Sequence, residues 1–554
     1  MIAQVVVDIP NDAVDRVFDY IALENTQIGM RVKVPFAGRL VLGYVIQLSE
    51  KSQIEPSKLK TIAKNLEQTP KLMPEILELC QFMSRHFFLR LSDCIRLALP
   101  SCVRLDSQHE QFEYNLSLLL DIDTAINIVG KRAKNQLALI AFLNENGTID
   151  FLKAVDMFGR QSVNALVEKG IVLKSATRKM RNPSVESATE QKNILTPAQA
   201  NAVQTMQNQN KTFLLKGVTG SGKTEVYMTI IEQAIKQGKT AIMLVPEISL
   251  TPQMMQRFNS RFPSDVAVLH SRLSDGERFD EWEKIFSGKA HVVLGARSAI
   301  FAPVKNLGVI VIDEEHDSSY VSENNPRYDA HTVAEHRARA NNCPLILGSA
   351  TPSLESYNKA INGEYQLVEL KQRINGSEMP DIEIVDMTGE VMDGNMSPFS
   401  KSLVAKLDRC IKDKKQAILF INRRGFASFV MCRECGYRAK CDDCEVSLVY
   451  HKEDNQLKCH FCGKKYRMLT NCPNCNSTNI RYGATGTEKV CEELANMFKD
   501  VPIFRMDNDT TRGKDGHKKI LSQFSQTAPS ILVGTQMIAK GHDYPLVSLV
   551  GILD

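Results

Sequence analysis

The stretch Gly217-Val218-Thr219-Gly220-Ser221-Gly222-Lys223-Thr224 fits G-x-x-x-x-G-K-[ST], and it lies between an apolar run, TFLLK, and a helix-forming segment. Glycines at these positions let backbone N–H groups wrap phosphates, and a helix start adds the positive end of its dipole. Lys223 would bring a point charge to the β- and γ-phosphates of ATP, and Thr224 a hydroxyl for Mg2+. A second apolar run, GVIVID, delivers Asp313 and Glu314 at its end, with Glu315 and His316 next. Carboxylates at the carboxyl end of a strand suit metal and water chemistry. Asp313 would hold Mg2+ through water, and Glu314 would polarise the attacking water. Each fragment alone has a plain alternative, a glycine-rich turn or a solvated strand end. In this order along one chain they point to hydrolysis of a nucleoside triphosphate.

Eight of the 14 cysteines form four C-x2-C pairs, Cys432/Cys435, Cys441/Cys444, Cys459/Cys462 and Cys472/Cys475. Tetrahedral Zn2+ takes four thiolates, so eight make two closed, structural sites. The inner pairs, Cys441/Cys444 and Cys459/Cys462, flank VSLVYHKEDNQLK with zinc-ribbon spacing. The outer pairs would then form the second site. Sequential pairing is the alternative, and it would wrap one ion with little chain between the first two pairs. His451 and His460 are possible ligands but read more simply as surface residues. Lys458, Lys464, Lys465 and Arg467 either touch phosphates or form a solvated basic face. Cys80, Cys94, Cys102, Cys343, Cys410 and Cys491 are scattered and read as core or incidental.

Further fragments follow the order of a superfamily-2 motor of the DExH type. Thr196-Pro197-Ala198-Gln199 would place Gln199 on the adenine edge. Pro246-Glu247-Ile248-Ser249-Leu250-Thr251, Gly295-Ala296-Arg297-Ser298 and Gly348-Ser349-Ala350-Thr351 each follow an apolar run. Asn422-Arg423-Arg424-Gly425, Gly534-Thr535-Gln536-Met537 and Lys540-Gly541-His542-Asp543 come later.

The elements that must position these residues are legible in outline. The chain has 554 residues, too many for one core, with 43% hydrophobic and 24% charged residues, as in ordinary soluble domains. A net charge of +4 neither proves nor excludes a nucleic-acid partner. No secretory leader or spanning segment is evident, so a cytoplasmic protein without membrane partners, its thiols reduced, is expected. Alternating segments in residues 1–105 predict a small, mostly-β domain. Residues 106–177 predict a winged-helix-like domain, and the polar, breaker-rich residues 178–195 a linker. From Thr196, apolar runs alternate with amphipathic helices, which predicts an α/β fold of two RecA-like parallel-sheet lobes. Lobe 1 would span 196–375 and lobe 2 376–554, with the two-zinc module inserted at 432–478.

A helicase second lobe interrupted by four cysteine pairs after I-N-R-R-G-F-A resembles the bacterial primosomal protein N′ (PriA) family of DNA helicases. Val17-Phe18-Asp19-Tyr20 and Arg31-Val32-Lys33-Val34-Pro35-Phe36 are similar to that family's DNA 3′-end-binding domain. The resemblance implies an ATP-driven 3′-to-5′ DNA helicase that recognises stalled forks and D-loops and starts primosome assembly for replication restart. It also implies ATP, Mg2+ and two Zn2+ as cofactors. The implied partners are branched DNA with a 3′-OH end, single-stranded DNA-binding protein and primosome proteins. Phe18, Asp19 and Lys60 would form the pocket for the 3′ terminus. The pattern departs at the pocket's glycine, where Ala37 follows Phe36 and Gly38 comes one place later. The segment after His316 is similar to an aromatic-rich DNA-sensing loop, with Pro326 at the family's tryptophan position and Tyr320 and Tyr328 left for stacking. The chain's single tryptophan is Trp282. LVSLVGILD ends before the family's Q-x-x-G-R-A-G-R motif, so lobe 2 is expected to be incomplete. A fork-binding scaffold that binds ATP but turns it over poorly is the alternative, and another superfamily-2 DNA translocase a third.

Overall fold

The computed structural model describes residues 1–105, 111–130, 133–179, 181, 194–207, 209–247, 251–374, 380–395, 397–421, 430–451, 456–459, 461–482, 487–507, 510, 516–535, 538 and 544–553. The chain divides into two compact units. One is Met1–Glu247 with Met255–Gly376, and the other is Ile248–Met254 with Ser377–Asp554.

The first unit begins with strands β1 (Ile2–Val7), β2 (Val17–Ile21), β3 (Arg31–Phe36), β4 (Arg39–Ser49), β5 (Lys60–Thr61) and β6 (Lys64–Asn65). They form a sheet in the order β5-β2-β1-β4-β3-β6. Alternation buries Ala3, Val5 and Val7 on one face with Val32, Val34 and Val45. Ala37 and Gly38, with φ of 46° and 80°, close the β3–β4 hairpin in the conformation that matches strand twist. Helices α1 (Pro74–His86), α2 (Leu91–Ala98) and α3 (Ser101–Arg104) follow. A separate apolar core holds β7 (Gln111–Leu118), α4 (Ile122–Val129), α5 (Lys134–Asn146), β8 (Thr148–Asp150), α6 (Phe151–Phe158), α7 (Arg160–Glu168) and β9 (Val172–Lys179). Its three strands pair in the order β8-β7-β9. Strand β9 runs into the segment read as a linker. Beyond it, Arg181 is held by Asp280 through N–H contacts of 2.9 and 3.1 Å.

The nucleotide-type lobe comprises α8 (Pro197–Met206), β10 (Thr212–Gly217), α9 (Lys223–Lys236), β11 (Thr240–Leu244), α10 (Pro252–Arg261), β12 (Val266–Leu269), α11 (Asp275–Phe286), β13 (Val292–Gly295), β14 (Leu307–Asp313), α12 (Ala330–Ala340), β15 (Leu345–Ser349), α13 (Leu354–Ile361) and β16 (Gln366–Leu370). Its strands are parallel, in the order β12-β13-β11-β14-β15-β10-β16. The apolar runs are buried on both faces: every residue of β11 and β15 is buried, and all of β14 up to Asp313. Trp282, Ile310, Leu347 and residues of α1 and α2 share one core cluster.

The second unit holds α14 (Met387–Met392), α15 (Lys401–Lys412), β17 (Gln416–Ile421), β18 (Val430–Cys432), β19 (Val449–His451), β20 (Gln456–Lys458), β21 (Lys465–Tyr466), β22 (Ile480–Tyr482), α16 (Thr487–Met497), β23 (Ile503–Met506), α17 (Gly516–Gln526), β24 (Ser530–Gly534) and β25 (Val547–Leu553). Parallel strands in the order β23-β24-β17-β25 make its main sheet. The cysteine module interrupts that sheet after β17, and the antiparallel pair β18–β22 joins its two ends. This is the α/β architecture expected. Cys80, Cys94, Cys102, Cys343 and Cys410 are buried and Cys491 is half-buried, as core cysteines should be. No helix of the described residues is long and apolar enough to cross a membrane.

Candidate nucleotide and metal sites

Strand β10 leads directly into the glycine-rich loop, and α9 starts at Lys223. Gly222 takes φ +77°, and a Cβ there would lie 2.3 Å from Gln199 Nε2 and 2.6 Å from Ile374. Both the left-handed backbone and the contact require glycine. Lys223 Nζ donates to the Gly217 carbonyl at 2.9 Å, which places the ammonium within the loop. Ser221 is buried, and its Oγ has no hydrogen-bond partner among the described residues. An orphaned hydroxyl among loop N–H groups suits a phosphate oxygen, so the residues present fit a nucleotide. Gln199 is buried with both ends of its amide engaged: Oε1 accepts from Thr196 N, and Nε2 donates to Ser221 O, each at 2.9 Å. The residue expected at the adenine edge thus braces the phosphate loop from the first turn of α8.

Strands β10 and β14 flank β15 in the sheet, so their carboxyl ends deliver Lys223 and Asp313 to the same edge. Burial, then the charge of Glu314, pushes the Asp313 carboxyl up to about 6, against the opposing pull of Lys223 and the Tyr227 hydroxyl. Tyr227 Oη donates to Asp313 Oδ1 at 3.1 Å, and Tyr320 Oη donates to the Asp313 carbonyl at 2.6 Å. Glu314 follows in a left-handed conformation, φ 47°, and stays half-exposed. Glu315, which carried no expected role, is buried and accepts from Ser353 N (2.7 Å), Ser353 Oγ (3.0 Å) and Ser356 Oγ (2.8 Å). His316 Nδ1 lies 2.8 Å from Ser349 Oγ, which in turn accepts from Thr351 N at 2.9 Å. The carboxylate strand and the Gly348-Ser349-Ala350-Thr351 segment are therefore wired together by direct hydrogen bonds.

The expectation that Tyr320 and Tyr328 are left for stacking fails. Both are buried: Tyr320 is turned inward by its bond to Asp313, and Tyr328 packs edge-on to Phe301 at 5.4 Å. Arg297 explains the inward turn of this loop. Its guanidinium donates to the carbonyls of Ser319 (3.0 Å) and Val321 (2.5 Å) and lies 5.3 Å from the Tyr328 ring centre. Asn422-Arg423-Arg424-Gly425, Gln536-Met537 and Lys540-Gly541-His542-Asp543 lie outside the described residues, as do Ile248-Ser249-Leu250 and His460.

The cysteines gather as the nested set: Cys432, Cys435, Cys472 and Cys475 in one group, and Cys441, Cys444, Cys459 and Cys462 in the other. Within each group all sulfurs lie inside 4.8 Å of one another. Sulfur pairs at 3.5 Å (Cys432–Cys475 and Cys435–Cys472) and 3.7 Å (Cys441–Cys462) approach the roughly 3.8 Å edge of a tetrahedron with 2.3 Å Zn–S bonds. The donor set fits zinc, and each group is closed, as a structural site requires. All four pairs share one backbone design. The residue after the second cysteine is left-handed (Gly436, Glu445, Gly463 and Asn476, φ 56–77°). Its N–H donates back to the carbonyl of the first cysteine at 2.9–3.1 Å. Left-handed backbone favours Gly and Asn, so Glu445 is the strained member. Spacing alone could have shown this fourfold repeat.

Phe18 and Asp19 sit on β2, and Lys60 on the neighbouring β5, registered against Tyr20. Phe18 is half-buried, edge-on to Phe36 at 5.1 Å, with the Arg16 guanidinium 5.0 Å from its ring centre. Asp19 Oδ2 accepts from Ser52 Oγ at 2.5 Å, while Lys60 is exposed. Successive strand residues face opposite sides, so Phe18 and Asp19 lie on opposite faces of β2, with Lys60 on the neighbouring strand beside them.

Comparison with known proteins covers these same regions. Residues 4–100 match the 3′ DNA-binding domain (3′BD) model of PriA, 196–360 the DEAD/DEAH box helicase model, and 441–467 the Cys-rich region (CRR) model of PriA DNA helicase. The replication restart protein PriA of Bacillus subtilis is 38% identical over 100% of this chain and 78% of its own length. That of Haemophilus influenzae is 35% identical over 97% of the chain and 75% of its length. The Synechocystis protein is 42% identical over 78% of the chain and 54% of its length. With a phosphate loop, a carboxylate strand end and two four-cysteine clusters in the places these relatives match, the chain belongs to the family of PriA replication restart helicases.

Proposed function

We propose that the protein is an ATP-dependent 3′-to-5′ DNA helicase that recognises stalled forks and D-loops and initiates primosome assembly in the cytoplasm. The observation that carries this reading is the convergence of Lys223 and Asp313 at one edge of a parallel sheet, in a chain whose relatives are replication restart proteins. Gly217 to Thr224 would cradle the triphosphate, with Lys223 on its terminal phosphates and Thr224 and Asp313 holding Mg2+. The metal, when bound, neutralises charge on the phosphates. Glu314 would orient the attacking water and accept its proton. Gln199 would hold the loop in shape and meet the adenine. The eight cysteines would hold two Zn2+ as structural ions.

Residues 1–105 are read as the DNA 3′-end-binding domain, with Phe18, Asp19 and Lys60 at the 3′-OH terminus of branched DNA. The segment 106–177 is read as winged-helix-like, 196–375 and 376–554 as the motor lobes, and 432–478 as the zinc module. Single-stranded DNA-binding protein and primosome proteins are the expected partners. The test is strand displacement on forks with tails of either polarity, comparing the parent, Lys223→Ala and Glu314→Gln. Lys223→Ala should abolish nucleotide binding. Glu314→Gln should keep binding and lose unwinding by about two orders of magnitude. Equal unwinding of 5′-tailed forks would refute the polarity, and unwinding by Lys223→Ala would refute the motor.

A further inference from the structure

Tyr227 lies one turn after Lys223 on α9, so the two share a helix face. Its side chain is fully buried, yet it carries a hydroxyl that packing alone does not need. The phenol crosses from α9 to the end of β14 and meets Asp313 Oδ1 at 3.1 Å. Between them runs β15, where Gly348 pairs with Asp313 on one side and with Leu215 on the other. A Cβ on Gly348 would lie 1.5 Å from Tyr227 Oη and 2.6 Å from its Cζ. The bare backbone at 348 is the passage through which the hydroxyl reaches the carboxylate.

We propose that Tyr227 is a positioning residue for Asp313, fixing the carboxylate through one oxygen so that it meets Mg2+ in a single orientation, and that Gly348 is the space kept open for it. The proposal rests on the nucleotide-site reading above. A hydroxyl with this task acts as an outer-shell partner of a metal ligand, and removing such partners costs roughly 10–100-fold in metal affinity. A phenyl ring filling core space would do as well without the hydroxyl.

The two roles separate in the variant Tyr227→Phe. Binding of a fluorescent N-methylanthraniloyl ATP is measured in EDTA and then across a Mg2+ titration, with the thermal midpoint recorded without ligand. The expected result is affinity in EDTA within about 2-fold of the parent, with the Mg2+ half-saturation raised about 10-fold or more. Gly348→Ala, which displaces the phenol, should shift the Mg2+ titration in the same direction. An unchanged Mg2+ titration in Tyr227→Phe overturns the proposal, as does equal loss with and without the metal, because either assigns the ring to packing. A parent protein that binds no labelled ATP overturns the nucleotide reading itself, and the proposal with it.

Discussion

Arg337 on α12 is fully buried, and its charge is met by Glu75 from α1. Arg337 Nε and Nη2 donate to the two Glu75 oxygens at 2.8 and 3.0 Å, while further N–H groups reach the carbonyls of Ile300 and Ala302. Glu75 Oε1 also accepts from Asn341 Nδ2 at 3.1 Å. Glu75→Ala would strand a buried guanidinium on two carbonyl acceptors. Breaking a buried pair from one side costs about 3–5 kcal/mol, and the lower end applies because water reaches Glu75, whose side chain is 26% exposed. At a urea slope of about 3 kcal/mol/M, a loss of about 3 kcal/mol lowers the midpoint by about 1 M. Trp282 is the assay, being the chain's single tryptophan and part of the same apolar cluster as α1 and α12. Its fluorescence reports this core without averaging over domains that unfold separately. Arg337→Met and the double variant complete a cycle, with a coupling of at least about 1.5 kcal/mol expected. A midpoint unchanged by Glu75→Ala, or a coupling below about 0.5 kcal/mol, would show that α1 is held to this lobe by apolar packing alone.

Glu445→Gly should stabilise the cysteine module by about 0.5–1 kcal/mol, the left-handed strain less the entropy of glycine, read as slower zinc release to a chelating dye. Gly463→Val should speed that release. Elemental analysis of the purified chain should give about two zinc ions, and Cys441→Ser should lower that to about one while the outer group keeps its metal. Cys441→Ser leaves about one zinc under sequential pairing too, so the double variant Cys432→Ser with Cys441→Ser decides: nested pairing leaves about none and sequential pairing about one. Phe18→Ala with Asp19→Ala should erase any preference for forks bearing a leading-strand 3′-OH, measured by fluorescence anisotropy; a preference equal to the parent's would remove both residues from the pocket.

What the sequence alone determined is what depends on local spacing. A C-x2-C pair places two thiolates on one tight turn whatever surrounds it, and G-x-x-x-x-G-K-[ST] after an apolar run dictates a strand, a loop and a helix start. Continuous apolar runs foretold a parallel sheet covered on both faces, because no half-exposed strand could carry them. Tertiary structure decided the relations among distant segments. Gly348 is a glycine because Tyr227, on another element, occupies the volume its Cβ would take. Tyr320 and Tyr328 looked available for stacking because aromatic composition carries no information on facing; Arg297, Phe301 and the Asp313 carbonyl turned them inward. Gln199 was placed at the adenine edge by motif order, while its contacts with Thr196 and Ser221 became visible only once α8 lay beside the phosphate loop. Spacing specifies bonds within a turn. Packing between elements specifies which side chain fills a shared volume, and that is settled only when both elements are in place.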